Sequence, residues 1–319
     1  MKLLIVKTSS LGDIVQARES LAALPAAEVH WVVEKPFSEL VEGRAQKTLV
    51  VETKKWRKNP FKWLSEIRSF ISKLRETQYD VIIDLQGNLK SSLILAFARG
   101  KKKVGFGFKS APEKISTLFT HLRFDPPPNQ NVRLDYLFLL EKALGFKGAI
   151  VYPTKPEVYK HVLVCPGSAW KNKQLSLPDL LHHLEAFHEK HPCTFHFLWA
   201  TPAEKAIADQ LQAHFPLSQQ TPKLSLKELE ALMARMDLVI AMDSFPLHLA
   251  GSLGIPTFAF FGSSQASKYN PLGPQARFIQ GPCPYGRTFA KRCPVLRTCP
   301  TGACMKPLTR DSCEKSFAQ

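Results

Sequence analysis

The sequence predicts two doubly wound α/β domains, each a parallel sheet covered by helices on both faces. Short Val/Ile/Leu-rich runs recur along the chain, near-continuous rather than alternating, as strands buried on both faces require. Helix-like segments fall between these runs, so strand and helix alternate in the βαβ manner. The alternation breaks once, at the proline-punctuated "VYPTKPEVYKHVLV", which reads as a linker and divides the chain into residues 1–152 and 153–319. With 319 residues there is length enough for two cores.

In the first half, "KLLIV" and "VHWVV" are strands, and "YDVIIDLQG" is another, ending in a polar turn before the helical "NLKSSLILAFARG". The turn after the first strand, "KTSSLGDIVQ", raises three readings for Asp13: a phosphate-cradling glycine turn, a helix cap, or a base. In the second half, "HVLVCPGS" leads into the helix "LPDLLHHLEAFHEK", and "CTFHFLWAT" leads into "PAEKAIADQLQAHF". "SLKELEALMARM" precedes the strand "DLVIAMDS", the helix "PLHLAGSLG" and the strand "IPTFAFFGS". From Pro282 a proline-rich, basic tail (282–319) carries five of the seven cysteines.

Apolar content of 45% and charged content of 22% are those of a globular chain and argue against disorder. The net charge of +16 favours anionic partners such as nucleic acid, phospholipid head groups or phosphorylated sugars. No apolar run approaches the roughly 18 residues of a membrane-spanning helix. The first apolar run reaches Gly-Asp too soon for a signal-peptide core. The expected location is the cytoplasm, where the cysteines should be thiols or metal ligands rather than disulfides.

Neither G-x-G-x-x-G nor G-x-x-x-x-G-K-[ST] occurs, which argues against a dinucleotide enzyme and a P-loop NTPase. In "DLVIAMDSFPLHLAGSLGIP" a strand ends at Met242, Asp243-Ser244 can cap the next helix, and Pro246 suits its first turn. That helix N-terminus is an anion site, with His248 aimed at the same spot; a plain cap followed by a packed histidine is the alternative. In "CPGSAWKNKQLSLPDLL", Lys173 is either a phosphate-neutralising charge or a solvated loop lysine. Glu204 in "WATPAEK" either complements a helix dipole or accepts hydrogen bonds from a ribose diol. Lys54, Lys55, Arg57, Lys58 and Lys62 surround Trp56 and Trp63, a pattern open to nucleic acid, to lipid phosphate or to a solvated helix face.

Taken in order, "VKTSSLGDIV", "KKWRK", "YDVIIDLQGNLKSS", "KNKQLSLP", "TPAEK", "PKLSLKELEALM" and "MDSFPLHLAGSLGIP" resemble the lipopolysaccharide heptosyltransferases of glycosyltransferase family 9, closest to the heptosyltransferase I branch. The resemblance spans nearly the whole chain. It implies the GT-B fold, two Rossmann-like domains facing a central cleft, with an acceptor-binding domain at 1–152 and a nucleotide-sugar-binding domain at 153–319. It also implies an inverting, metal-independent transfer of L-glycero-D-manno-heptose from ADP-heptose to Kdo of Kdo-lipid A. By this resemblance Asp13 matches the catalytic base. Ser168, Ala169 and Lys173 match the donor phosphate and sugar contacts, with Lys173 also assisting the leaving group. Glu204 matches the ribose contact and Leu224 a wall of the adenosine pocket. Asp243, Ser244, Phe245 and His248 match the motif that grips the nucleotide sugar. Lys54, Lys55, Arg57 and Lys58, with Ser10, Gln86 and Lys90, fall to acceptor binding.

The chain departs from the family pattern at Phe245, where glycine is common, at "QARESLAAL" and at Asn131, where histidine is common. A related family 9 transferase with another nucleotide sugar or a later inner-core acceptor is the alternative; a basic nucleic-acid-binding protein has no use for the donor motifs. The implied partners are therefore ADP-heptose as co-substrate, Kdo-lipid A and the anionic inner membrane face, with no nucleic acid, and the chain is expected to be a peripheral monomer. No cofactor is expected. The tail cysteines lack clean C-x₂-C pairs, so a structural thiol cluster is preferred to a bound zinc.

Overall fold

The computed structural model describes residues 1–299, 301–306 and 308. Contacts divide the chain into two compact units, Met1–Ile150 and Val151–Gln319. In unit 1 the elements are β1 (Lys2–Val6), α1 (Leu11–Leu21), β2 (Glu28–Glu34), β3 (Lys47–Val51), α2 (Thr53–Lys58), α3 (Leu64–Arg75), β4 (Tyr79–Asp84), α4 (Leu89–Phe97), β5 (Gly100–Phe106), β6 (Leu122–Phe124) and α5 (Val132–Leu144). The strands form one sheet in the order β3-β2-β1-β4-β5-β6, with every pair parallel. Strand β1 lies between β2 and β4, so Leu3, Leu4, Ile5 and Val6 are all fully buried, which is why its sequence does not alternate.

Unit 2 holds β7 (His161–Cys165), α6 (Leu177–Lys190), β8 (Thr194–Phe197), α7 (Pro202–His214), β9 (Gln219–Gln220), α8 (Leu226–Met233), β10 (Leu238–Met242), α9 (Phe245–Ser252), β11 (Thr257–Phe261), α10 (Ala266–Tyr269) and β12 (Ala276–Gln280). Its parallel sheet runs β12-β11-β10-β7-β8-β9. Both sheets thus have the doubly wound order in which the chain starts at the centre, builds one edge and returns to build the other. Such sheets bind ligands outside the carboxyl ends of the strands, where the order reverses: β1/β4 in unit 1 and β7/β10 in unit 2. Phe195, Phe197, Phe258 and Phe260 fill one face of the second sheet beneath α6.

Some elements differ from expectation. The run "NLKSSLILAFARG" does not stay helical to its end: α4 stops at Phe97, and Gly100 opens β5. A Cβ at position 100 would lie 2.6 Å from Ile82 Cδ1, so a side chain there would displace the buried Ile82 side chain. The lysine-rich β5 has no apolar signal in its first half, where Lys101 and Lys102 are exposed. The departing stretch "QARES" lies inside unit 1: Glu19 Oε1 accepts from Arg133 Nε at 2.7 Å, with both side chains buried, and Ser20 Oγ donates to Arg133 O at 2.7 Å. Asn131 caps α5, its Oδ1 accepting from Arg133 N. No helix of the described residues is long and apolar enough to cross a membrane.

Candidate functional site

In unit 2 the loops that leave β7 and β10 meet at the switch point. Ala241 of β10 pairs with Cys165 of β7, so Gly167-Ser168 and Asp243-Ser244 emerge side by side. Ser168 Oγ donates to Asp243 O at 3.3 Å, and Gln174 Nε2 holds the Ser168 carbonyl at 2.7 Å. A 3-10 turn at Lys171–Lys173 brings Lys173 inward, where its Nζ lies 2.5 Å from Asp243 Oδ2. From the first turn of α9, His248 Nε2 reaches to 3.5 Å from Asp243 Oδ1. The side chains of Lys173, Asp243 and His248 are all buried. Burial alone would raise the Asp243 carboxyl, but the His248 imidazole and the Lys173 ammonium hold it far below the usual carboxylate range.

Two sequence expectations change here. Asp243 caps nothing: Ser244 is the N-cap residue, its hydroxyl donates back to Met242 O at 3.2 Å, and the Asp243 carboxylate turns to Lys173. Lys173 is not a solvated loop lysine: its ammonium is buried against the Asp243 carboxylate. The carboxylate therefore acts as a hub that orients one ammonium and one imidazole beside the N-terminus of α9.

Glu204 belongs to a capping box on α7. Its Oε2 accepts from Ala200 N at 2.9 Å and Thr201 N at 3.0 Å, while Thr201 Oγ1 accepts from Glu204 N. The bland reading of its sequence position is therefore real. Its other oxygen stands over the β7 loop: a Cβ at Gly167 would lie 1.9 Å from Glu204 Oε1. Ala169 is exposed, Leu224 is half-buried in the loop before α8, and Phe245 is half-buried as the first residue of α9.

Unit 1 has the matching arrangement at β1/β4. Gln86 Oε1 accepts from Thr8 N and Ser9 N, each at 3.2 Å, tying the loop after β4 to the loop after β1. Asp84 ends β4 and is buried; its carboxylate accepts from Gln86 N, Gly87 N and Ser91 Oγ. Burial nevertheless pushes its carboxyl above the ordinary range. Asp13 is half-buried in the first turn of α1, and its Oδ2 accepts from Ser10 N at 3.0 Å and Ser10 Oγ at 2.6 Å. The cap geometry is thus present, with Ser10 spent on Asp13. The phosphate reading of this turn gains no support from a carboxylate at its centre.

Lys90 Nζ donates to Glu34 Oε1 at 3.2 Å and lies 3.5 Å from Ser9 Oγ. Glu34 was missed in the sequence; it is a buried carboxylate closing the apolar strand β2, and it also accepts from Thr53 N at 3.1 Å and from Thr53 Oγ1. A charged residue ending an otherwise apolar parallel strand is the signal that could have found both Glu34 and Asp84. Of the basic segment, Lys55 is committed internally: its Nζ is 2.8 Å from Glu66 Oε1 and 3.7 Å from the Trp63 ring centroid, which pins α2 to α3. Lys54, Arg57 and Lys58 are exposed.

In the tail, Cys283, Cys293, Cys299 and Cys304 line one small pocket as free thiols, and Cys313 lies outside the described residues. Among the described residues no three His, Cys, Asp or Glu side chains stand where they could together hold a metal ion. The tail packs on the Lys173 turn: Asn172 Nδ2 donates to Leu296 O, and Gly302 lies against the Asn172 backbone.

Comparison with known proteins agrees with this architecture. The model of glycosyltransferase family 9 (heptosyltransferase) matches residues 67–298. Lipopolysaccharide heptosyltransferase 1 of Pseudomonas aeruginosa is 27% identical over 315 residues, covering 92% of this chain and 87% of that protein. The protein of the same description from Escherichia coli K12 is 25% identical over 316 residues, covering 88% and 94%. Among solved structures, E. coli heptosyltransferase WaaC with ADP-2-deoxy-2-fluoro heptose superposes with a TM-score of 0.80 at 21% identity, covering 100% of this chain and 99% of that one. E. coli ADP-heptose lps heptosyltransferase II follows with a TM-score of 0.67 at 16% identity, covering both chains fully. At such identities the likeness establishes the fold, which is GT-B.

Proposed function

Because the chain belongs to glycosyltransferase family 9 and is thereby a glycosyltransferase, we propose that it moves L-glycero-D-manno-heptose from ADP-heptose to a Kdo sugar of lipid A-linked lipopolysaccharide core. The observation that carries this reading is the buried Lys173–Asp243–His248 cluster at the β7/β10 switch point, in a chain whose relatives are lipopolysaccharide heptosyltransferases. In this reading Lys173, the α9 amides and Ser168 meet the ADP diphosphate, and His248 and Ser244 contact the nucleotide sugar. Ala169 lies with Ser168 on the phosphate and sugar side, and Glu204 Oε1 and Leu224 line the nucleoside side. Gln86, Lys90 and the exposed Lys54, Arg57 and Lys58 face the anionic acceptor.

Inversion at the anomeric carbon takes one displacement. Asp13 accepts the proton of the attacking acceptor hydroxyl as that oxygen bonds to carbon, while the bond to the ADP oxygen breaks and its electron pair leaves with ADP. A positioned base contributes on the order of 10²–10⁴-fold. Cations and amides already in place around the diphosphate stabilise the leaving charge without reorganising, so the reading needs no metal for this step. The Ser10 bonds hold the Asp13 carboxylate in place at the start of α1. The excess of positive charge favours a monomer working against an anionic membrane face.

A donor panel tests the assignment. ADP-heptose should support acceptor-dependent release of ADP, whereas ADP-glucose and UDP sugars should not. Turnover with another nucleotide sugar alone would move the protein to a different donor within the family, and Phe245, at the first turn of α9, is then the residue to exchange for glycine.

A further inference from the structure

Helix α4 turns an apolar face outward. Leu89, Leu93 and Phe97 recur every fourth residue, so they share one face, and they are 42%, 49% and 44% exposed. The opposite face is buried in the usual way through Ile94 and Leu95. Beside α4 lies the 3-10 segment Lys114–Phe119, which exposes Ile115 (49%) and Leu118 (70%). The two segments are joined at their starts, where Glu113 Oε2 accepts from Leu89 N at 2.8 Å. Isolated exposed leucines are ordinary, but five large apolar side chains on two adjoining segments are not.

We propose that this face of unit 1 seats on the surface of an anionic bilayer, with α4 and the 3-10 segment at head-group depth. This inference rests on the lipid-linked acceptor of the proposed function and gives it an address on the protein. Charge singles out the occupant. Lys114 opens the exposed segment and Lys109 is exposed in the loop just before it, in a chain of net charge +16. An apolar strip beside lysines matches acyl chains below anionic head groups, the pattern of an interfacial helix. The strip also begins next to the acceptor-side residues: Leu89 adjoins Lys90, whose ammonium reaches Ser9 and Glu34. A lipid anchored under α4 would therefore keep its sugar near the loop that leads into Asp13.

Vesicle flotation with the full chain tests this. The protein should float with phosphatidylcholine vesicles that contain phosphatidylglycerol, much less with phosphatidylcholine alone, and less again at high salt. The combined Leu93→Ser, Phe97→Ser and Leu118→Ser variant should lose binding at least about tenfold, and Lys114→Glu should weaken it further. Both variants should keep wild-type turnover on a deacylated, water-soluble acceptor, because none of these residues belongs to the proposed site. Unchanged flotation of the triple variant overturns the surface. So does a wild-type dimer, free of vesicles, that the same substitutions split, since the face is then an interface between copies. Failure of the wild type to turn over the soluble acceptor counts instead against the transferase reading and leaves the flotation result to stand alone.

Discussion

Asp243 and Lys173 show how much one buried charge pair can decide. Removing the ammonium while leaving the carboxylate strands a buried charge, which costs about 3–5 kcal/mol in comparable cases. Lys173→Met should therefore lower stability by that order and weaken donor binding. Adding Asp243→Asn should restore much of the stability and none of the donor affinity, as thermal unfolding and ADP titration of the single and double variants would reveal. At Gly167 the argument is steric. Gly167→Ala sets a methyl carbon against Glu204 Oε1, so the carboxylate must move. Donor KM should rise more than kcat falls if Glu204 meets the ribose, whereas equal kinetics with a lowered melting temperature would reduce Glu204 to a helix cap. The identities of these residues were legible in the sequence because Ser, Lys, Asp and His at strand ends are conspicuous. Their pairing was not: Lys173 and Asp243 lie 70 residues apart and meet only because β10 crosses back to lie beside β7.

The elements that place the site owe their positions to the same strand-end loops. Gln86 links the β4 loop to the β1 loop through two hydrogen bonds at the unit 1 switch point. Gln86→Ala leaves two loop amides to find other partners, at a cost of about 1–3 kcal/mol if they stay dry. Turnover should fall with the loop that leads into Asp13, while donor KM, which the proposed function assigns to unit 2, should hold; a change confined to KM would refute the link. Central strands such as β1, β4, β7 and β10 were readable from their unbroken apolar runs. The outlying strands β5, β6 and β9 were not. β9 is two residues long, β6 is three, and β5 runs from Gly100 straight into two exposed lysines, so neither length nor pattern marks them. The helix α5 and the buried face of α1 were also hidden, since Glu19, Arg133 and Ser20 look like surface residues until they are seen to bond one another.

Over the whole molecule, buried and half-buried histidines should lower stability toward acid pH. Burial lowers the pKa of His183 below the ordinary value of 6.5 and outweighs the hydrogen bond its ring nitrogen donates to Leu308 O at 2.6 Å, which acts the other way. Burial likewise lowers His30, His191 and His196. When these groups unfold they bind protons that the folded chain refuses, so the unfolded state takes up more protons as pH falls through the ordinary histidine range, and stability falls with it. Asp243 has the same sign in a lower window. Its depressed pKa stabilises the fold at and above the ordinary carboxylate range and is lost only as pH drops below it. The melting temperature should therefore decline between about pH 7.5 and about pH 5.5, before any carboxylate contribution is lost; a flat profile there would contradict the histidine assignment.

The central claim is that Asp13 removes the acceptor proton in a heptosyl transfer. The Asp13→Asn variant tests it most directly, because an amide oxygen can still accept from Ser10 N and keep the cap while the base is gone. Assayed with ADP-heptose and a Kdo-lipid acceptor, it should melt near the wild type yet release ADP on the order of 10²–10⁴ times more slowly. A folded Asp13→Asn enzyme that releases ADP at the wild-type rate would contradict the account.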